Sequence, residues 1–232
     1  MSSLFSMGLT SLLFTLLVRF IVVCTALPIH ECAHGYVAMK MGDHTAEYQG
    51  RLTLNPFKHL DPMGTLMILV AGFGWARPVP INPMNFKNPK RGMMLSSLAG
   101  PLANVGMALV LLVIYKLLWI PEIMMNGGSE FYYAIESVLA TMVSINISLA
   151  VFNLLPIPPL DGSRIATYFM PQDLYFKIMR YEQYIFIGLM ILIVVGVFDV
   201  PLAFLRGLVM NGLDFITTPV NWLVSAVTGI TV

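Results

Sequence analysis

Residues 28–36 read PIHECAHGY, two histidines four positions apart with a glutamate beside the first. Between Arg19 and Lys40, Glu31 is the sole residue with a formal charge, and the rest of that run is as apolar as lipid. A charged side chain at the centre of a membrane span costs about 2.5–3.5 kcal/mol on insertion scales, so it is rarely found there without a task.

Composition supports that setting. The 232 residues are 57% hydrophobic and 11% charged, with a mean hydropathy of +0.79. Soluble domains carry about 25% charged residues, so the balance belongs to the bilayer. A net charge of +1 gives no footprint for nucleic acid or for an acidic substrate. Gly92 to Tyr115 and Ser137 to Leu160 are uncharged, and each is long enough to cross, about 20 residues being needed. The expected class is an all-α polytopic membrane protein of about 4–6 spans, with short β-strand or re-entrant elements near the site.

The first 29 residues read as an uncleaved span rather than a signal peptide, because no basic cluster precedes the apolar run and Arg19 interrupts it. Cys24 and Cys32 lie about 12 Å apart along one helix, too far to bridge, and read as packing thiols. That helix is expected over about 8–41, where Gly42 suits a C′ position. Next come a polar stretch in which GRLTLNP (50–56) alternates like a short strand, then MGTLMILVAGFGW (63–75), too short to cross. ARPVPINP (76–83) opens a Pro/Asn-rich extended stretch, and spans follow at about 92–119, 134–156 and 183–198. The tail 206–232 reads as a last span or an interfacial helix.

Charge sets an orientation. The loop 77–91 holds Arg77, Lys87, Lys90 and Arg91, and 161–182 holds Arg164, Lys177 and Arg180, whereas 120–133 holds Glu122 and Glu130. The positive-inside rule places the first two in the cytoplasm and the third outside. Lys116 is discordant and reads as snorkelling to the outer interface. With Arg51 and Lys58 also inside, 63–75 must dip and return, which is allowed only where it is buried in protein or lines a wet cavity.

On a helix His30 and His34 face the same way and can hold one metal ion. Glu31, offset by one position, is close enough to take a proton from a water that zinc brings near neutral pKa. The motif therefore reads as a zinc hydrolase site with a peptide bond as its commonest target. Such a site needs a third protein ligand. Asp161 is the candidate, ending the uncharged run in NLLPIPPLDGSR, where prolines at 156, 158 and 159 break the helix before it. Its competing reading is an N-cap of the next helix. Asn153 reads either as a donor to the oxyanion of a tetrahedral intermediate or as interhelical glue, a role that fits Asn104 and Asn146 equally. His44 and His59 sit in flanks that read as solvated surface rather than as ligands, and the 17 methionines read as lipid-facing or core filler. Arg19 either bounds the first span with Lys40 or is a buried charge with a partner.

HECAH, GRLTLNP, GWARPVPINP, SLAGPLAN and NLLPIPPLDGSR together resemble the site-2 protease family of intramembrane zinc metalloproteases, in its compact bacterial branch without PDZ or CBS domains. The similarity covers about 20–170. It implies one Zn²⁺ held by His30, His34 and Asp161, Glu31 as general base, and Asn153 in contact with substrate or oxyanion. It implies one membrane-embedded metalloprotease domain over 1–232, with core motifs at about 20–170 and C-terminal helices at about 183–232. The implied setting is the bacterial plasma membrane, with the site toward the cytoplasm and a substrate's transmembrane segment as partner. An exposed strand edge at 50–55 or 75–82 would either hold an unwound substrate by β-augmentation or close over the cavity. The competing classes are a non-proteolytic zinc scaffold that binds transmembrane helices, which has no use for Glu31, and a transporter. A transporter would continue its ionisable residues to both faces and carry an inverted repeat, and neither is visible here.

Overall fold

The computed structural model describes residues 8–71, 74–124 and 130–230. It is helical, with ten α-helices and no β-sheet among the described residues. Among the described residues three helices are long and apolar enough to cross a membrane: α1 (Leu9–Lys40), α4 (Pro89–Met124) and α5 (Glu130–Asn153). A fourth span arises if α8 (Glu182–Val195) and α9 (Asp199–Ile216), bent by 86° at their junction, count as one broken crossing. Among the described residues these three or four candidate crossings meet the expected four to six at its lower end, the tail folding as α9 and a short α10 (Thr218–Thr228).

The chain packs as two compact units. The first holds the described residues through Ala103 together with Asn153–Ile185, and contains α1, α2 (Thr45–Tyr48), α3 (Pro62–Ala71), α6 (Asp161–Thr167) and α7 (Gln172–Arg180). Within it α1 runs unbroken through Pro28, whose missing N–H cannot bond back to Cys24. The helix ends where Gly42 takes φ +108°, a conformation glycine reaches without a Cβ penalty.

Directly after this stop Asp43 is fully buried. Its carboxylate accepts from Thr45 N at 3.1 Å, the Thr45 hydroxyl, Asn85 Nδ2 at 2.7 Å and Asn82 N at 2.7 Å. Burial alone would raise the Asp43 carboxyl, but these donors outweigh it and hold the group below the usual aspartate range. Asp43→Ala is expected to destabilise the protein by roughly 2–3 kcal/mol at pH 7. A depressed carboxyl contributes its full stability above the unfolded pKa near about 4 and loses it as pH falls through the lower folded value. The Tm gap between wild type and Asp43→Ala, measured in detergent, is therefore expected to hold from pH 7 to about 5 and to narrow below about 4.

The short apolar segment returns on itself. Asp61 Oδ1 accepts from Gly64 N at 2.8 Å and caps α3, while Leu60 and Ala76 form an isolated antiparallel bridge and Arg77 N donates to His59 O at 2.8 Å. A Cβ on Gly64 would collide with the Trp75 carbonyl, and one on Gly74 with the Gly64 carbonyl, so the start and end of the excursion touch. Gly72 and Phe73, within the expected dip, lie outside the described residues. Arg19 has a partner: its Nη1 donates to Leu69 O at 2.6 Å, setting a cation on the last turn of α3.

Neither 50–55 nor 75–82 forms a strand. Each runs into an Asn–Pro pair that makes a single 3₁₀ turn, with Asn55 accepting from Phe57 N and Asn82 from Met84 N, both at 3.1 Å. Prolines at 56, 78, 80 and 83 remove donors that a ladder would need. The flanks of His59 also differ from a solvated surface: His59 is wholly buried and donates Nε2–H to Thr53 O at 2.7 Å, whereas His44 is exposed and pairs with Glu47 at 2.6 Å.

The second unit holds Asn104–Phe152 and the described residues from Phe186 onward. There Lys116 does not snorkel. It is buried, 3.0 Å from Asp214 Oδ1, and donates to the Thr217 hydroxyl at 2.7 Å, because α9 supplies an anion close by. Cys24 and Cys32 are free thiols.

Candidate active site

The i, i+4 spacing on α1 does what helix geometry dictates. The rings of His30 and His34 stand edge to face with centroids 4.5 Å apart and their Nε2 atoms 3.0 Å apart. Asp161, the first residue of α6, brings Oδ2 to 3.2 Å from His30 Nε2 and 3.3 Å from His34 Nε2. Leu160 occupies the N-cap position of α6, and the Asp161 side chain turns to the histidines instead of capping. Both histidines are buried and Asp161 is half-buried.

These atoms fit a zinc ion. Tetrahedral ligation at about 2.0–2.2 Å separates neighbouring donor atoms by about 3.3–3.5 Å, close to the three separations observed. Protonation tells the same story. His34 Nδ1 lies 2.7 Å from the Ser96 carbonyl, which has no proton to give, so Nδ1 carries the hydrogen and Nε2 is the nitrogen left to offer a lone pair to a metal. That lone pair faces a carboxylate oxygen which is itself buried without a hydrogen bond. A metal ion among these atoms would satisfy both the Nε2 lone pair and the carboxylate oxygen. His30, His34 and Asp161 are also the residues whose donor atoms form a metal-sized cluster among the described residues.

Helix α4 closes the site from the side. Ser96, fully buried, supplies the carbonyl that orients His34, and a Cβ on Gly100 would overlap the His34 ring and stand 2.7 Å from His30 Cε1. Gly100 lies within SLAGPLAN, one of the motifs that carry the family resemblance, but neither it nor Ser96 reads as a site residue from the sequence; the small-residue run SSLAG is the sequence signal for this close approach.

Glu31, also buried, accepts from Val79 N at 2.8 Å through Oε2. The segment carrying Val79 is held by Arg51, whose Nη2 donates to the carbonyls of Arg77 at 2.7 Å and Pro78 at 3.2 Å. Burial, and after it the charge of Arg77, lowers the Arg51 pKa from the usual arginine value, while Glu31 raises it. Asn153 is half-buried, closes α5 eight residues before Asp161, and belongs to the same compact unit.

The profile of Peptidase family M50 matches residues 18–195, a span that includes every residue of the site. YwhC of Bacillus subtilis (strain 168), named as a zinc metalloprotease, is 44% identical over 174 residues, covering 75% of this chain and 78% of that protein. Rip2 of Mycolicibacterium smegmatis, named likewise, is 33% identical over 142 residues, covering 59% of this chain and 51% of that protein. The zinc metalloprotease MJ0392 of Methanocaldococcus jannaschii is 28% identical over 148 residues, covering 64% of this chain and 33% of that protein. No solved structure matches the chain.

Proposed function

The chain belongs to peptidase family M50 and is a zinc metalloprotease of the membrane, and on that premise we propose that it hydrolyses a peptide bond within or next to a transmembrane helix of a membrane-protein substrate. One observation carries the reading: two of the three clustered side chains, His30 and His34, and the Glu31 carboxylate lie on a helix long enough to span, His30 being about 15 Å from the Lys40 end. That distance from the helix end supports a site within the membrane. The asymmetry of Lys and Arg in the loops supports a site toward the cytoplasm, and the bacterial plasma membrane is the proposed setting.

His30, His34 and Asp161 hold the metal. Zinc, if bound there, would supply Lewis acidity and bring a water's pKa near neutral. Glu31 takes the proton from the attacking water on the oxygen that Val79 does not hold, and then delivers a proton to the departing amine. The Ser96 carbonyl keeps His34 in the tautomer that binds through Nε2. Asn153 is proposed as an oxyanion donor from the resemblance of its segment, NLLPIPPLDGSR, to the family's. The substrate strand must be unwound, since a helix's carbonyls are bonded within it.

The test compares wild type with Glu31→Gln, expressed at equal levels in the host, by proteomics of protein termini. Glutamine retains an oxygen for the Val79 N–H but cannot take a proton, so metal and fold are kept while turnover falls about 10²–10⁴-fold. New termini within or beside transmembrane segments, made by wild type alone, are the expected outcome. Identical termini from two folded, zinc-loaded proteins would replace this reading with the scaffold that binds transmembrane helices.

A further inference from the structure

Arg51 is a cation where a cation is costly. It is 8% exposed, and it takes part in none of the ion pairs among the described residues. A guanidinium buried without a direct counter-ion loses its hydration with little return, and its Nε–H is buried without an acceptor. What it does hold is backbone: the successive carbonyls of Arg77 and Pro78, through one nitrogen.

The next residue is Val79, whose N–H is bonded to Glu31. Pro78 and Pro80 on either side have no N–H, so Val79 supplies the single donor of three consecutive residues. The segment is fixed at further points. Arg77 N bonds to His59 O, buried His59 Nε2–H bonds to Thr53 O, and Asn82 N bonds to Asp43. The Val79 side chain fits over Gly35, where an added Cβ would meet Val79 Cγ1 at 3.2 Å. A carboxylate in mid-helix has rotatable bonds that would let it swing to either histidine. One fixed N–H removes that freedom.

We propose that Arg51 is a positioning residue for the proteolysis proposed above: by clamping the carbonyls of 77 and 78 it sets the Val79 N–H against Glu31 Oε2 and so fixes the carboxylate that moves the proton. The inference rests on that reading of Glu31. It goes further in assigning a task to GRLTLNP, which sequence alone reads as a strand. A displacement of about 1 Å at a reacting group costs on the order of 10²-fold, so the loss falls in kcat rather than in substrate binding.

The experiment uses the full chain, zinc-loaded in detergent micelles, with fluorescein-labelled casein as a protein probe and amide hydrogen exchange as a second readout. In Arg51→Ala, exchange across 76–82 is expected to rise at least about 10-fold and kcat to fall about 10- to 100-fold, with KM within about two-fold of wild type. Zinc content and protection of α1 should be unchanged. Arg51→Lys, a point charge without the planar fork, should recover part of the protection and part of kcat together. Wild-type kcat in a zinc-loaded Arg51→Ala would overturn the proposal, as would loss of zinc and α1 protection in step with activity. Equal, measurable turnover of the probe by wild type and Glu31→Gln would instead overturn the role of Glu31 in proteolysis, while faster exchange at 76–82 in Arg51→Ala would still uphold the clamp.

Discussion

Asp161→Ala is expected to strip zinc from the protein and take turnover to background, whereas Glu31→Gln removes turnover and leaves zinc in place. The two carboxylates differ in what their oxygens face. Asp161 Oδ2 looks at two imidazole nitrogens at 3.2 and 3.3 Å, and Glu31 Oε2 looks at a backbone N–H. Loss of an outer partner such as the group behind a ligating histidine already costs about 10–100-fold in metal affinity, so loss of one of three ligands should exceed that. Two imidazoles left on one helix keep a weak site that a mild chelator empties. Metal analysis of both purified variants, beside turnover of a labelled protein, separates the roles. Stoichiometric zinc and full activity in Asp161→Ala would remove Asp161 from the ligand set and require a third donor elsewhere.

The features that were legible in the sequence are those whose physics is local. Four residues of helix put His30 and His34 on one face, and prolines before Asp161 mark a break at which a carboxylate leaves the span. The partners of isolated charges were not legible, because they lie far along the chain. Arg19 meets a carbonyl 50 residues away, and Lys116 meets a hydroxyl 101 residues away. An apolar helix face does not announce which neighbour it will carry, and so Lys116 read as snorkelling when α9 in fact provides Asp214.

The extended stretches show a different limit. Alternation in GRLTLNP and ARPVPINP reports an extended backbone, not what that backbone bonds to. Here side chains take the place of a partner strand: Arg51 on two carbonyls, Glu31 on the N–H of Val79, Asp43 on the N–H of Asn82. Each is buried, and each would have been costly without such a partner. A polar residue flanking a strand-like pattern rich in proline is thus as readily a brace as a surface residue, and His59, buried completely, is a case of it.

Gly100→Ala is expected to cost the metal site far more than it costs the fold. In the interior of α4 the exchange of glycine for alanine favours the helix by about 0.8–1.0 kcal/mol on intrinsic propensity. The added methyl, however, would overlap the His34 ring and approach His30 Cε1 to 2.7 Å. The His34 ring cannot retreat without breaking its bond to the Ser96 carbonyl, and α1 cannot retreat without opening the 3.0–3.3 Å spacing of the donor atoms. Overpacking of about 1–3 kcal/mol is thus taken up by the site, which corresponds to a loss of zinc affinity of about 5- to 150-fold. Gly106→Ala on the same helix is the control, since nothing lies within 4 Å of its added Cβ, and it should retain zinc and gain slightly in stability. Chelator competition on both variants, with thermal unfolding alongside, reads the two effects separately. If Gly100→Ala held zinc as tightly as Gly106→Ala, α4 would have to yield as a body, and the carbonyl of Ser96 would not be what confines His34.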